Sequence, residues 1–240
     1  DRSMRLGGTV LVQAGDKIIA RAREIAAHVL EAAATDIEYA AGRFRVAGTD
    51  REVDLFSLAA LAAAGDVPEE FSGPLDAADI VDYRLPAHPN GVAACEIEID
   101  PETGALRVVR YATVDDVGRL INPVIVEGQI HGGIAQGLGQ ALFEHNAYDA
   151  ETGQILAGSF MDYCLPRADD LPSFDIAPNN DCPAPSNPLG VKGAGEAGTT
   201  PATSALVSAV VDALHPYGVA HIETPVTSEK IFRAIRKGAG

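Results

Sequence analysis

The feature that most restricts how this chain can fold is a glycine excess inside a helical run. Asn122-Pro123 has the composition of a helix start, an Asn cap with proline at the first helical position. The run it opens extends to about His145 and contains Gly128, Gly132, Gly133, Gly137 and Gly139, five glycines in twelve residues. Each interior glycine costs about 1 kcal/mol of helix propensity relative to alanine. A helix that keeps five of them needs compensation. Two sources are open: tight packing in an interior, or close approach of a bound ligand. The excess favours the ligand.

A second glycine cluster surrounds a single carboxylate. In Val191-Lys-Gly-Ala-Gly-Glu-Ala-Gly-Thr-Thr200, residues Gly193, Gly195 and Gly198 flank Glu196. Glycine permits positive φ and lets backbone approach a ligand closely. An acid in such a loop is placed for proton transfer rather than packing. Thr200 as cap and Pro201 as first helical residue predict a helix to about Leu214, so the loop sits at a helix N-terminus, where anions and reactive oxygens are well placed. Gly193–Gly198 also spells G-x-G-x-x-G. A dinucleotide site needs a central strand just before it and an acid about 20 residues on. Here Ala184-Pro-Ser-Asn-Pro-Leu precedes it and Asp212 comes too early, which disfavours that reading. The bland alternative is a tight helix-entry turn with an exposed glutamate. Gly7-Gly8-Thr9, ahead of the first helix, is a third and weaker sign of ligand approach.

The remaining chain reads as α+β. A 3.6-residue periodicity predicts a helix from about Gln13 to Ala34. A short hairpin follows over Ile37–Tyr39 and Arg43–Val46, then a helix capped by Asp54 that ends near Gly65. Residues 66–90 form a Pro-rich connection. Alternation around Cys95–Ile99 and Leu106–Val114, joined by Asp-Pro-Glu-Thr-Gly, predicts a strong hairpin, and a similar turn at Asp149–Gly153 predicts another. Residues 165–190 look irregular, and a last helix spans Ser228–Lys237. Two subdomains are expected: 1–90, and 91–240 with both glycine clusters.

A formal charge of −16 argues against nucleic acid, which needs a basic footprint. No run of about 18 apolar residues is present to span a membrane. Cys95, Cys164 and Cys182 form no CxxC pair, so they support neither a zinc ribbon nor an iron–sulfur cluster and suggest reduced thiols in the cytoplasm. No Ser/His/Asp triad can be assembled, no metal-ligand set is predicted, and His131 reads as structural. Asp115-Asp116 look like solvated loop carboxylates. Gln129, Gln136 and Gln140 each donate and accept hydrogen bonds, matching the edge of a pterin or purine.

Together, Gly128-Gln-Ile-His-Gly-Gly-Ile-Ala-Gln-Gly-Leu-Gly-Gln-Ala-Leu142 and Gly190-Val-Lys-Gly-Ala-Gly-Glu-Ala-Gly198 resemble the C-terminal part of the molybdenum hydroxylases, the xanthine dehydrogenase, aldehyde oxidase and aerobic carbon monoxide dehydrogenase superfamily. Arg2–Gly8 and Pro225–Ile235 fit the same pattern, so the resemblance covers essentially the whole chain. It implies the fold of the second molybdopterin-binding domain and a cofactor of molybdenum with molybdopterin, its cytosine dinucleotide form being one option. It implies that Glu196 is the base beside the molybdenum, that Gln129, next to Gly128, hydrogen-bonds the pterin, that Ala194 and Gly195 are backbone positions beside the metal, and that Gly7, Gly8 and Thr9 hold the pterin from the other side. The implied reaction is hydroxylation of a heteroaromatic or aldehyde carbon with oxygen from water. Electrons would leave through [2Fe–2S] and FAD on partner chains, and the N-terminal half of the molybdenum subunit would complete the site in a dimer of heteromers. The alternative is a non-catalytic molybdopterin-binding assembly module.

Overall fold

In the computed structural model, which describes residues 3–81 and 86–238, the chain divides into two compact units, Arg2–Arg84 and Leu85–Gly240. Both mix helix and sheet, so the α+β class holds.

In the first unit, a π-helical stretch at Ser3–Gly8 runs directly into helix α1, Thr9–Val29. This helix therefore starts earlier and stops earlier than its periodicity suggests. Strands β1 (Ile37–Ala40), β2 (Arg43–Val46) and β3 (Glu52–Asp54) form an antiparallel sheet in that order. The β1–β2 turn places Ala41 at φ 49° and Gly42 at φ 79°, the paired left-handed geometry of a tight two-residue hairpin. Strand β3 escaped the sequence reading because three residues are too short for a periodic signal. Helix α2, Leu55–Ala64, begins where the Asp54 side chain accepts the Ser57 amide at 3.0 Å and ends at Gly65 with φ 78°. Its Leu58 and Ala62 pack with Ala22, Ile25, Ala26 and Phe44 in a small core. The Pro-rich connection lies on this unit through side chains: Arg21 donates to the Pro74 and Ser72 carbonyls, and Lys17 meets Asp79 at 3.1 Å.

The second unit holds the larger core. Strands β4 (Asn90–Ile99) and β5 (Leu106–Asp116) pair antiparallel with a bulge at Glu96/Ile97. Gly104, in the turn between them at φ 72°, lies against the backbone of Ser228 and Phe232. Helix α3 spans Pro123–Leu142, ending three residues before His145. Strand β6, Phe174–Asn179, pairs parallel to β5. This corrects the irregular reading of residues 165–190. Pro178 hides the strand from sequence inspection, yet proline is tolerated on an edge strand, where its missing N–H faces outward. The second predicted hairpin is reduced to a turn closed by one bridge, Tyr148 with Ile155. Helix α4, Thr199–Leu214, and helix α5, Ser228–Gly238, complete the unit. Ile130, Ile134 and Leu138 of α3 meet Leu206, Val210 and Leu214 of α4 and Tyr111 of β5 in one cluster. Among the described residues no helix is long and apolar enough to cross a membrane.

Candidate active site

Helix α3 has two different faces, and its glycines divide between them. On the buried face, a β-carbon at Gly133 would stand 2.9 Å from the Thr199 amide nitrogen, and one at Gly137 would stand 2.7 Å from the Ala202 β-carbon. The start of α4 is pressed against α3 backbone to backbone. From the other side, a β-carbon at Gly198 would collide with the Ile130 carbonyl. Two threonines stitch the crossing: Thr199 Oγ1 donates to the Gly133 carbonyl and Thr203 Oγ1 to that of Gly137, each at 3.0 Å. Gly139 is filled in by Pro166 and Glu144. Packing thus accounts for three of the five glycines that the sequence assigned to ligand contact.

The other two remain. Gly128 and Gly132 are exposed, and a β-carbon at either would meet nothing within 4 Å among the described residues. Gln129 lies between them, also exposed and with no hydrogen-bond partner among the described residues. Val124 and Ile125, one turn earlier, are 79% and 62% exposed. This side of the helix offers bare backbone, an unused amide and uncovered apolar carbon. Gln136 is turned toward Thr199, whose hydroxyl lies 3.4 Å from its Oε1. His131 is occupied as a structural residue: Nδ1 contacts the Glu127 carbonyl at 3.0 Å and the ring leans on Phe174. Among the described residues no His/Cys/Asp/Glu group is arranged to hold a metal ion.

The glutamate loop rises from a clamped stem. Buried Asn187 grips Val191 from both sides, its Nδ2 donating to the Val191 carbonyl at 2.9 Å and its Oδ1 accepting the Val191 amide at 3.1 Å. The Lys192 amide donates to Val117 O and the Arg119 amide to Gly190 O, both at 2.9 Å. Gly118, at φ 67°, abuts Gly190, so this crossing requires both a left-handed conformation and a missing side chain. Lys192 Nζ lies 2.5 Å from Asp116 Oδ2, with the two side chains 12% and 15% exposed.

Beyond the stem, Ala194 and Gly195 are half-buried and Glu196 is exposed, while Ala197 and Gly198 are buried against α3. The Glu196 carbonyl accepts the amide and the hydroxyl of Thr200, at 3.1 and 2.9 Å. Its carboxylate has no partner among the described residues. Helix α4 starts at Thr199 with Gly198 in the cap position at φ −72°, not with Thr200 as cap. Gly198 is needed here for close approach to α3 rather than for positive φ. Gly7, Gly8 and Thr9 lie in the other unit, in helical backbone, where Thr9 is buried and donates to the Arg5 carbonyl at 2.5 Å.

Asn187 and Lys192 do not stand out in the sequence as site residues, and the expectation for Asp115 and Asp116 is corrected. Neither aspartate is a solvated loop residue: both end strand β5, and Asp115 is 2% exposed. Burial pushes the Asp115 carboxyl up from its ordinary value, partly opposed by the Thr113 hydroxyl, which donates to it at 2.8 Å. Burial also pulls Asp116 upward, but Lys192, the Gly118 amide and Asn90 outweigh it and hold that carboxyl below the usual aspartate value. The available signal was position: Lys192 is the last long side chain before a glycine loop.

The chain belongs to the molybdopterin cofactor-binding domain family, whose model matches residues 1–172. It is 41% identical over 96% of its length to the 6-hydroxypseudooxynicotine dehydrogenase complex subunit gamma of Paenarthrobacter nicotinovorans, and 34% identical over 98% to the carbon monoxide dehydrogenase large chain of Hydrogenophaga pseudoflava. It spans about 29% of the length of each of these relatives. Among solved structures, carbon monoxide dehydrogenase from Oligotropha carboxidovorans superposes with TM-score 0.91 at 32% identity, covering 99% of this chain and 29% of that one. Quinoline 2-oxidoreductase from Pseudomonas putida 86 superposes with TM-score 0.82 at 38% identity, covering 92% and 28%. The resemblance to the molybdenum hydroxylases therefore holds.

Proposed function

We propose that this chain forms part of a molybdenum-cofactor oxidoreductase that hydroxylates a heteroaromatic carbon with oxygen from water, and that Glu196 is its base. The observation that carries the reading is the state of Glu196, whose carboxylate is exposed and has no partner among the described residues although the loop beneath it is pinned on both sides. A surface glutamate of no function needs no such stem. Two residues later the chain touches α3 at the carbonyl of Ile130, the sequence neighbour of Gln129.

The residues fit a pterin cofactor. Gly128 and Gly132 leave room for a planar ring system, and Gln129 can donate to and accept from its edge. Gly128, Gln129, Ala194 and Gly195 would hold the cofactor in this unit. When bound, the cofactor supplies the two-electron acceptor of the reaction. Glu196 takes up a proton as the new carbon–oxygen bond forms, and its sequence neighbours Gly193, Ala194, Gly195 and Ala197 carry no titratable side chain. The names of the relatives support this choice of substrate class. Nicotine 6-hydroxylase and quinoline 2-oxidoreductase, named for nitrogen heteroaromatics, are 39% and 38% identical to this chain, against 34% and 33% for the carbon monoxide enzymes. Iron–sulfur and FAD-bearing partners, and the remainder of the molybdenum subunit, complete the proposed complex.

The test is Glu196→Gln in the assembled complex. General-base catalysis is worth about 10²–10⁴-fold, so turnover should fall by about that factor while molybdenum per complex stays unchanged. Near-normal turnover would remove Glu196 from the chemistry. Full molybdenum content with no turnover in the unsubstituted complex, for every heteroaromatic and aldehyde offered, would favour a non-catalytic assembly module.

A further inference from the structure

We propose that Lys192 and Asp116 form a positioning pair that fixes where Glu196 points. This rests on the assignment of Glu196 as the base. Between Lys192 and Glu196 lie only Gly193, Ala194 and Gly195, none with a side chain longer than a methyl group. Lys192 is thus the last residue before the acid whose side chain reaches a distant anchor. It reaches the end of β5, 76 residues away in sequence, where Asp116 is itself fully engaged. Asp116 Oδ1 accepts the Gly118 amide at 3.0 Å, and Oδ2 accepts Lys192 and the Asn90 amide group at 3.3 Å.

The pair is largely withdrawn from water, so losing one partner strands the other charge in a poorly solvated place. It also reinforces the backbone bonds from Lys192 N to Val117 O and from Arg119 N to Gly190 O. On the far side, Thr199, Thr200 and Thr203 tie the start of α4 to the loop and to α3. The loop is held at both ends, and the ion pair is the charged clip at its entrance. It also keeps the ammonium of Lys192 occupied, away from the carboxylate four residues on.

The experiment compares Lys192→Met, Asp116→Asn, the double variant and Lys192→Arg in the assembled complex. A misplacement of about 1 Å can cost about 10²-fold in rate, so each of the first two should lose kcat on that scale with KM little changed. The double variant should be no worse than the worse single one, because the two residues act as a unit. Lys192→Arg keeps the charge and should recover most of the rate. Hydrogen exchange provides a readout independent of turnover: the Lys192 and Arg119 amides should lose protection in Lys192→Met and Asp116→Asn but not in Lys192→Arg. Unchanged exchange and unchanged kcat in the first two would overturn the proposal. Additive losses would overturn it too. If Glu196→Gln stays active, the catalytic reading falls by itself while the exchange measurement still decides whether the pair fixes the loop. If Glu196→Gln is inactive and Lys192→Met is normal, only the positioning pair falls.

Discussion

The two faces of helix α3 carry the same residue type for opposite reasons. Gly133 and Gly137 are glycine because α4 occupies the space a side chain would need. Gly128 and Gly132 are glycine although nothing among the described residues occupies that space. Packing compensates the helix-propensity cost on the first face. On the second face the cost is left standing within the described residues, which is what a surface reserved for another molecule would show.

Substitution can break this contrast. The largest effect on folding should come from Gly137→Val, whose β-carbon would be driven into Ala202 and the Thr199 carbonyl. Overpacking of this kind costs about 1–3 kcal/mol, which a thermal or urea melt of the chain would register as a clear loss. A stability equal to the parent's would mean that α3 and α4 are not closely packed. On the other face, Gly132→Leu should leave the melt unchanged or raise it by up to about 1 kcal/mol, since leucine is the better helix former. Molybdenum bound per complex should nonetheless fall. If Gly132→Leu kept its full molybdenum content, the bare face would not be the cofactor surface.

A smaller effect separates the neighbours Asp115 and Asp116. Asp115 has its folded pKa raised by burial, so its ionised form costs stability above that pKa, and the cost disappears below the unfolded value near pH 4. Asp116 has the opposite sign: it contributes stability above its unfolded value that is lost as pH falls through its lower folded one. Asp115→Asn should therefore raise Tm at pH 7, with a gain that shrinks toward about pH 4. A gain constant across that range would show that the benefit has nothing to do with ionisation.

What was legible in the sequence was mostly local. Asp54, Gly65 and Asn122 announce helix ends because capping depends on residues three or four apart, and each acts as expected. The Asp100–Gly104 turn was readable for the same reason, with its Asp100 side chain accepting the Glu102 amide and the Thr103 hydroxyl. Strand β6 was not readable, because its partner β5 is distant in sequence and the pairing leaves no periodic trace around Pro178. The roles of Gly133 and Gly137 depend on threonines 66 residues further on, and that of Lys192 on an aspartate 76 residues back. The glycine clusters showed that backbone must be approached closely at these places. Which clusters meet α4 and which stay open is decided by tertiary contacts that no short window contains.

The most direct test of the central claim is a molybdenum-edge anomalous difference map from crystals of the assembled complex. The account predicts one strong peak beside the Glu196 carboxylate, on the side of α3 that carries Gly128 and Gly132. A carboxylate turned to bulk solvent, with the molybdenum peak away from both glycine clusters, would contradict it.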